Sequence, residues 1–133
     1  MKILLIEDSK FQRIANEGAL VKAGYSTIQA GDGEEGLRLA RKDIPDLILL
    51  DIMLPKVSGL DVLRALKDDV LVKHIPVIVL SGLAQGNETK LAKEGAAAFF
   101  MKSEKSFENS SSALIQAVES VLTQSENIVA TTF

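Results

Sequence analysis

Short apolar runs alternate along this chain with stretches whose apolar residues fall at helical spacing. The first run is Ile3 to Ile6, continuous rather than alternating. Ser9 then reads as a helix N-cap, since its hydroxyl can satisfy a free N–H of the first turn. Phe11, Ile14, Ala15 and Val21 lie near helical spacing, and Gly24 reads as the stop. Tyr25 to Ala30 is a second, weaker strand, followed by a turn at Gly31-Asp32-Gly33. Leu37, Ala40 and Ile44 predict a short helix that ends before Pro45, because a proline disfavours helical backbone in the residue before it. Leu47 to Leu50 is the third run. Pro55 and Gly59 mark a loop, and Leu60, Leu63 and Leu66 line the next helix. Val77 to Leu80 follows Pro76. A short helix is expected from Asn87 to Glu94, ending at Gly95, and then Ala98 to Met101 forms the last run. Leu114, Ala117, Val118, Val121 and Leu122 give the clearest helical stripe. Residues 123–133 lack clear periodicity and are expected to be a frayed tail after a single domain at 1–122.

Strict alternation of strand and helix implies right-handed crossovers and a parallel sheet covered on both faces, an α/β fold. Runs such as Leu47-Ile48-Leu49-Leu50 suit central strands buried on both sides.

The bulk numbers fit this picture and narrow the chemistry. The chain has 133 residues, 47% apolar and 25% charged, as in an ordinary globular domain. It has no cysteine, which removes disulfides and thiolate chemistry together and fits a reducing compartment. A net charge of −3 argues against nucleic-acid binding. The apolar run at the N-terminus is too short for a signal peptide, and nothing approaches the roughly 20 residues that cross a bilayer. A cytoplasmic protein without a membrane partner is expected.

The candidate chemistry sits where polar residues end the apolar runs. Glu7 and Asp8 follow the first, Asp51 the third, Ser81 the fourth and Lys102 the fifth. Open α/β sheets bind ligands outside the carboxyl ends of their strands. The fold therefore brings these five residues to one edge. Neighbouring strand residues point to opposite faces, so Glu7 and Asp8 share a site only if the strand ends there and the chain turns. Three carboxylates about 5 Å apart repel by on the order of 3 kcal/mol per pair at an effective dielectric of about 20. A hard divalent cation, Mg²⁺ or Mn²⁺, would relieve this. Lys102 and Ser81 suit an incoming phosphoryl oxygen, and Asp51, alone at the end of a central strand, suits a nucleophile.

Singly, each residue has an ordinary explanation: a solvated strand end for Glu7-Asp8, a turn cap for Asp51, an exposed amine for Lys102. All five in order do not. The set resembles the receiver domain of two-component response regulators, over about residues 1–122. Asp51 lies in Leu-Leu-Asp-Ile-Met-Leu-Pro-Lys-Val-Ser-Gly, with Pro55 and Gly59 where the family has proline and glycine. Phe99, three residues before Lys102, matches the family's aromatic switch.

The resemblance implies a flavodoxin-like three-layer (βα)5 fold with strand order 2-1-3-4-5. It implies that Asp51 takes a phosphoryl group from a sensor histidine kinase or phosphorelay partner. Mg²⁺ would be held by Asp8, Asp51 and the Met53 carbonyl, with Glu7 one shell out. Lys102 and Ser81 would bind phosphoryl oxygens. Ser81 and Phe99 would then reshape the face of the fourth helix, fifth strand and fifth helix, where a downstream protein binds. The protein would act as a single-domain regulator, a monomer or a phosphorylation-dependent dimer, and would catalyse only its own phosphorylation and dephosphorylation. Met53 and Leu83, both apolar, would slow water attack and lengthen the phosphoryl lifetime. Ser103 stands where the family usually has proline, so a trans bond after Lys102 is expected. A phosphorylation-independent interaction module is the main alternative. A nucleotide or phosphatase enzyme is disfavoured: there is no glycine-rich phosphate loop, and Met53 rather than a second aspartate follows Asp51 at two residues. The single histidine, His74, offers no catalytic triad.

Overall fold

The computed structural model describes residues 1–52, 54, 57–81, 92–101 and 107–131. Its strands are β1 (Lys2–Ile6), β2 (Ser26–Ala30), β3 (Leu47–Asp51), β4 (Val77–Ser81) and β5 (Ala98–Met101). They form one parallel sheet in the order β2-β1-β3-β4-β5. The helices are α1 (Lys10–Lys22), α2 (Gly33–Asp43), α3 (Gly59–Asp68) and a C-terminal helix (Phe107–Thr131). Most of the helix expected over 87–94 lies outside the described residues. Its last part, Ala92 and Lys93, is helical, and Gly95 takes the left-handed conformation (φ 106°) as the expected stop.

The sheet divides the core in two. On one face Leu4, Ile6, Ile48, Leu50, Val77 and Val79 pack with Leu39 and Ala40 of α2 and Val62, Leu63 and Leu66 of α3. On the other, Ile3, Leu5, Leu47, Leu49, Ile78 and Leu80 pack with Leu20 of α1 and Leu114, Val118, Val121 and Leu122 of the C-terminal helix. Successive strand residues alternate between these layers, which is why the strands are continuous apolar runs. Each fully buried aliphatic side chain contributes roughly 1.5–3 kcal/mol. All five residues of β3 are buried, whereas the edge strand β2 opens outward.

Helix starts follow side-chain capping. The hydroxyl of Ser9 accepts from the Gln12 amide, Asp32 accepts from Glu35, and Ser58 accepts from Asp61. In α2, Glu34 and Glu35 sit in the first turn and Arg41 and Lys42 in the last, as the helix dipole favours. The Arg41 guanidinium pairs with Asp69 at the C-terminus of α3 and joins the two helices.

Two boundaries differ from the pattern. Ile44 is not the last helical residue of α2 but its left-handed cap (φ 44°, ψ 68°). Pro45 closes the right-handed helical region to the residue before it, and Ile44 leaves through the other hand while its amide still bonds the Ala40 carbonyl. The last helix does not end near residue 122 either: its backbone continues to Thr131. The apolar stripe read from the sequence is the part that packs on the sheet, through Leu114, Val118, Val121 and Leu122, and Thr123 and Gln124 after it are exposed. No glycine or proline between 107 and 131 ends the helix itself.

Candidate functional site

Ile6 of β1 pairs with Leu50 of β3, so Glu7 and Asp51 stand level at the carboxyl ends of adjacent central strands. β1 ends at Ile6, and the chain turns at once into α1. That turn is what lets consecutive acids share one site. The Glu7 amide donates to the Ala30 carbonyl at 3.0 Å. The Ser9 amide donates to Glu7 Oε1 at 3.2 Å, and Arg13 Nη1 donates to the Glu7 carbonyl at 2.9 Å. Glu7 and Asp51 are 1% and 3% exposed, while Asp8 faces solvent.

One carboxylate oxygen from each of Glu7, Asp8 and Asp51 lies within 4.8 Å of the others. Two oxygens that both bind Mg²⁺ at about 2.1 Å can be at most about 4.2 Å apart. The three acids therefore reach the scale of one small hard cation with minor closure, or with a water between one of them and the ion. An all-oxygen donor set selects Mg²⁺ or Mn²⁺ over softer metals. The buried pair Glu7 and Asp51 fixes the site, and exposed Asp8 leaves it open to solvent and to a partner.

The loop after Asp51 is pinned by Gly59. Its amide donates to the Ile52 carbonyl at 3.1 Å. A Cβ on Gly59 would fall 2.4 Å from Ile52 Cα and 2.6 Å from the Asp51 carbonyl oxygen. α3 can start this close to the candidate nucleophile only because residue 59 has no side chain. The sequence marked Gly59 as a loop residue; the contact itself joins elements that no local pattern relates.

Ser81 ends β4, one residue beyond the Leu80 that pairs with Asp51, so its backbone stands at the same edge. Phe99 of β5 is partly buried against the α2–α3 layer, whereas Phe100 packs into the opposite layer. The two phenylalanines are thus distinct in their surroundings. The proposed roles of Met53, Leu83 and Lys102, and the Lys102–Ser103 bond, lie outside the described residues. His74 is exposed before β4, away from the acids. Among the described residues, no helix is long and apolar enough to cross a membrane.

Fold and acids together define a flavodoxin-like α/β domain with a candidate metal centre at the carboxyl edge of its sheet. Residues 3–119 match the family model of the response regulator receiver domain, and the chain belongs to that family of two-component signalling proteins. The polar-differentiation response regulator DivK of Brucella ovis is 41% identical over 101 residues, which is 75% of this chain and 82% of that protein. Among solved structures, NtrX from Brucella abortus superposes with a TM-score of 0.87 at 26% identity, covering 98% of this chain and 29% of that one. Chemotaxis protein CheY4 of Vibrio cholerae gives 0.80 at 26% identity, covering 90% and 97%.

Proposed function

We propose that Asp51 accepts a phosphoryl group from the phosphohistidine of a sensor kinase or phosphotransfer protein. The burial of Asp51 beside Glu7, with exposed Asp8 completing the cluster at its solvent side, carries this reading. An Asp51 carboxylate oxygen attacks phosphorus, and the phosphorus–nitrogen bond of the donor breaks. The electron pair returns to the imidazole nitrogen, which is then free to take a proton. Asp8, Asp51 and the Met53 carbonyl would hold Mg²⁺, with Glu7 as an outer partner, and a bound ion would supply positive charge to the phosphoryl oxygens. Lys102 and Ser81 bind the remaining phosphoryl oxygens.

Ser81 and Phe99 pass the change to the face of the fourth helix, fifth strand and fifth helix. The functional unit is residues 1–122, acting in the cytoplasm by protein contact. Its only reactions would be its own phosphorylation and dephosphorylation. Incubation with acetyl phosphate and Mg²⁺, read by intact mass, tests this. One phosphoryl group should be gained, and lost in Asp51→Asn. No gain by the wild-type chain would instead favour a phosphorylation-independent module.

A further inference from the structure

Three hydrogen bonds to described residues tie down Glu7. Its amide bonds the end of β2, its carboxylate accepts from the Ser9 amide, and its carbonyl accepts from Arg13 on α1. The last of these is unusual in kind. β2 ends at Ala30, and past that end the donor to the Glu7 carbonyl is a side chain. The Arg13 guanidinium lies in a berth made by Gly31: a Cβ there would come within 3.2 Å of Nη1. α1, the end of β1 and the turn after β2 therefore meet through one planar group.

Two roles for such a cation have opposite consequences. If Arg13 served only to offset the acids, it would compete with a metal, and removing it would tighten metal binding. If it braces the turn that carries Glu7 and Asp8, removing it would loosen the ligands and weaken binding. The observed bond is to an uncharged carbonyl, not to a carboxylate. A bond of that kind serves geometry more than charge.

We propose that Arg13 is a positioning residue for the candidate metal centre, which holds the Glu7–Asp8 turn in register with Asp51 and so sets divalent-cation affinity. This rests on the reading of the acids as a metal site. Arg13 would be a ligand of neither the ion nor the phosphoryl group. It acts through the backbone of Glu7, and Gly31 keeps its place free.

The test is Mn²⁺ affinity, from the EPR signal of the free ion, with Mg²⁺ as competitor. It is run on the wild-type chain, Arg13→Met, Arg13→Lys and Gly31→Ala at a temperature where circular dichroism shows each folded. Arg13→Met should weaken Mn²⁺ by about tenfold, the lower end of what loss of an outer partner costs a metal site. Arg13→Lys, which keeps a point donor and the charge, should recover most of the loss. Gly31→Ala keeps the arginine but crowds it, and should fall between wild type and Arg13→Met. Equal or tighter binding by Arg13→Met overturns the proposal, as does unchanged binding by Gly31→Ala if Arg13→Met does not fold. A wild-type chain that binds no Mn²⁺ overturns the metal-site reading and this inference with it. Wild-type binding with an unchanged Arg13→Met overturns this inference alone.

Discussion

Gly59 and Ile52 are in backbone contact: the Gly59 amide bonds the Ile52 carbonyl at 3.1 Å, and a Cβ on Gly59 would sit 2.4 Å from Ile52 Cα. Backbone cannot yield as a side-chain tip can. Gly59→Ala should therefore push α3 away from the end of β3 and cost about 3 kcal/mol. It should also slow phosphorylation of Asp51 by acetyl phosphate, because the strain falls on the next peptide. Urea unfolding and intact mass check the two parts. A variant with the wild-type unfolding midpoint would show that the loop accommodates the methyl group.

The clustered acids yield a second expectation. Metal-free, Asp51→Asn removes one charge from a site where two of the three carboxylates are buried. Stability should rise by about 1 kcal/mol, or about 4 °C in melting temperature for a chain of this size. Thermal unfolding in chelator measures it. A lower melting temperature would mean that the charge of Asp51 is worth more to its neighbours than its repulsion costs.

Cation binding should invert that order. Mg²⁺ at about ten times its dissociation constant should stabilise the wild-type chain by about 1.4 kcal/mol. Asp51→Asn and Asp8→Asn should gain much less, so that their melting curves converge with or fall below wild type as Mg²⁺ rises. Equal Mg²⁺ stabilisation of all three would place the ion elsewhere.

Far from the site, Asp69 carries a pH dependence. The Leu71 amide and the Arg41 guanidinium hold its carboxyl below the usual carboxylate range. A carboxyl depressed in the folded state contributes stability above its unfolded pKa and loses it as pH falls through the folded value. Asp69→Asn should thus be less stable than wild type at neutral pH. The gap should close on acidification below the ordinary carboxylate range, and high salt should narrow it at neutral pH. A gap that persists in acid would assign the effect to the lost geometry rather than to charge.

Much of this molecule is written in its local pattern. Central strands show as unbroken apolar runs, and the acids show as the polar residues that end them. The turn after Ile6, required if Glu7 and Asp8 were to act together, is there. What the pattern could not carry falls into two kinds. Ile44 and the extension to Thr131 are cases where the end of the apolar stripe and the end of the helix differ. A stripe of apolar residues reports only packing. Gly59 and Arg13 matter through contacts with Ile52, Gly31 and Glu7, and no periodicity links a residue on one element to backbone on another.

The complete burial of β3 has a consequence for how a signal could leave it. Its amides lie in the middle of the sheet, bonded on both sides and shielded by both layers. Such amides exchange with solvent hydrogen only when the whole domain opens. Ile48, Leu49 and Leu50 should be among the last to exchange, and at the same rate before and after phosphorylation at fixed global stability. Asp51, the proposed phosphoryl acceptor, is thus mounted on the stillest part of the molecule. Deuterium uptake should record its arrival elsewhere, in the strands and helices beyond it. Accelerated exchange confined to β3 would mean that the strand itself moves.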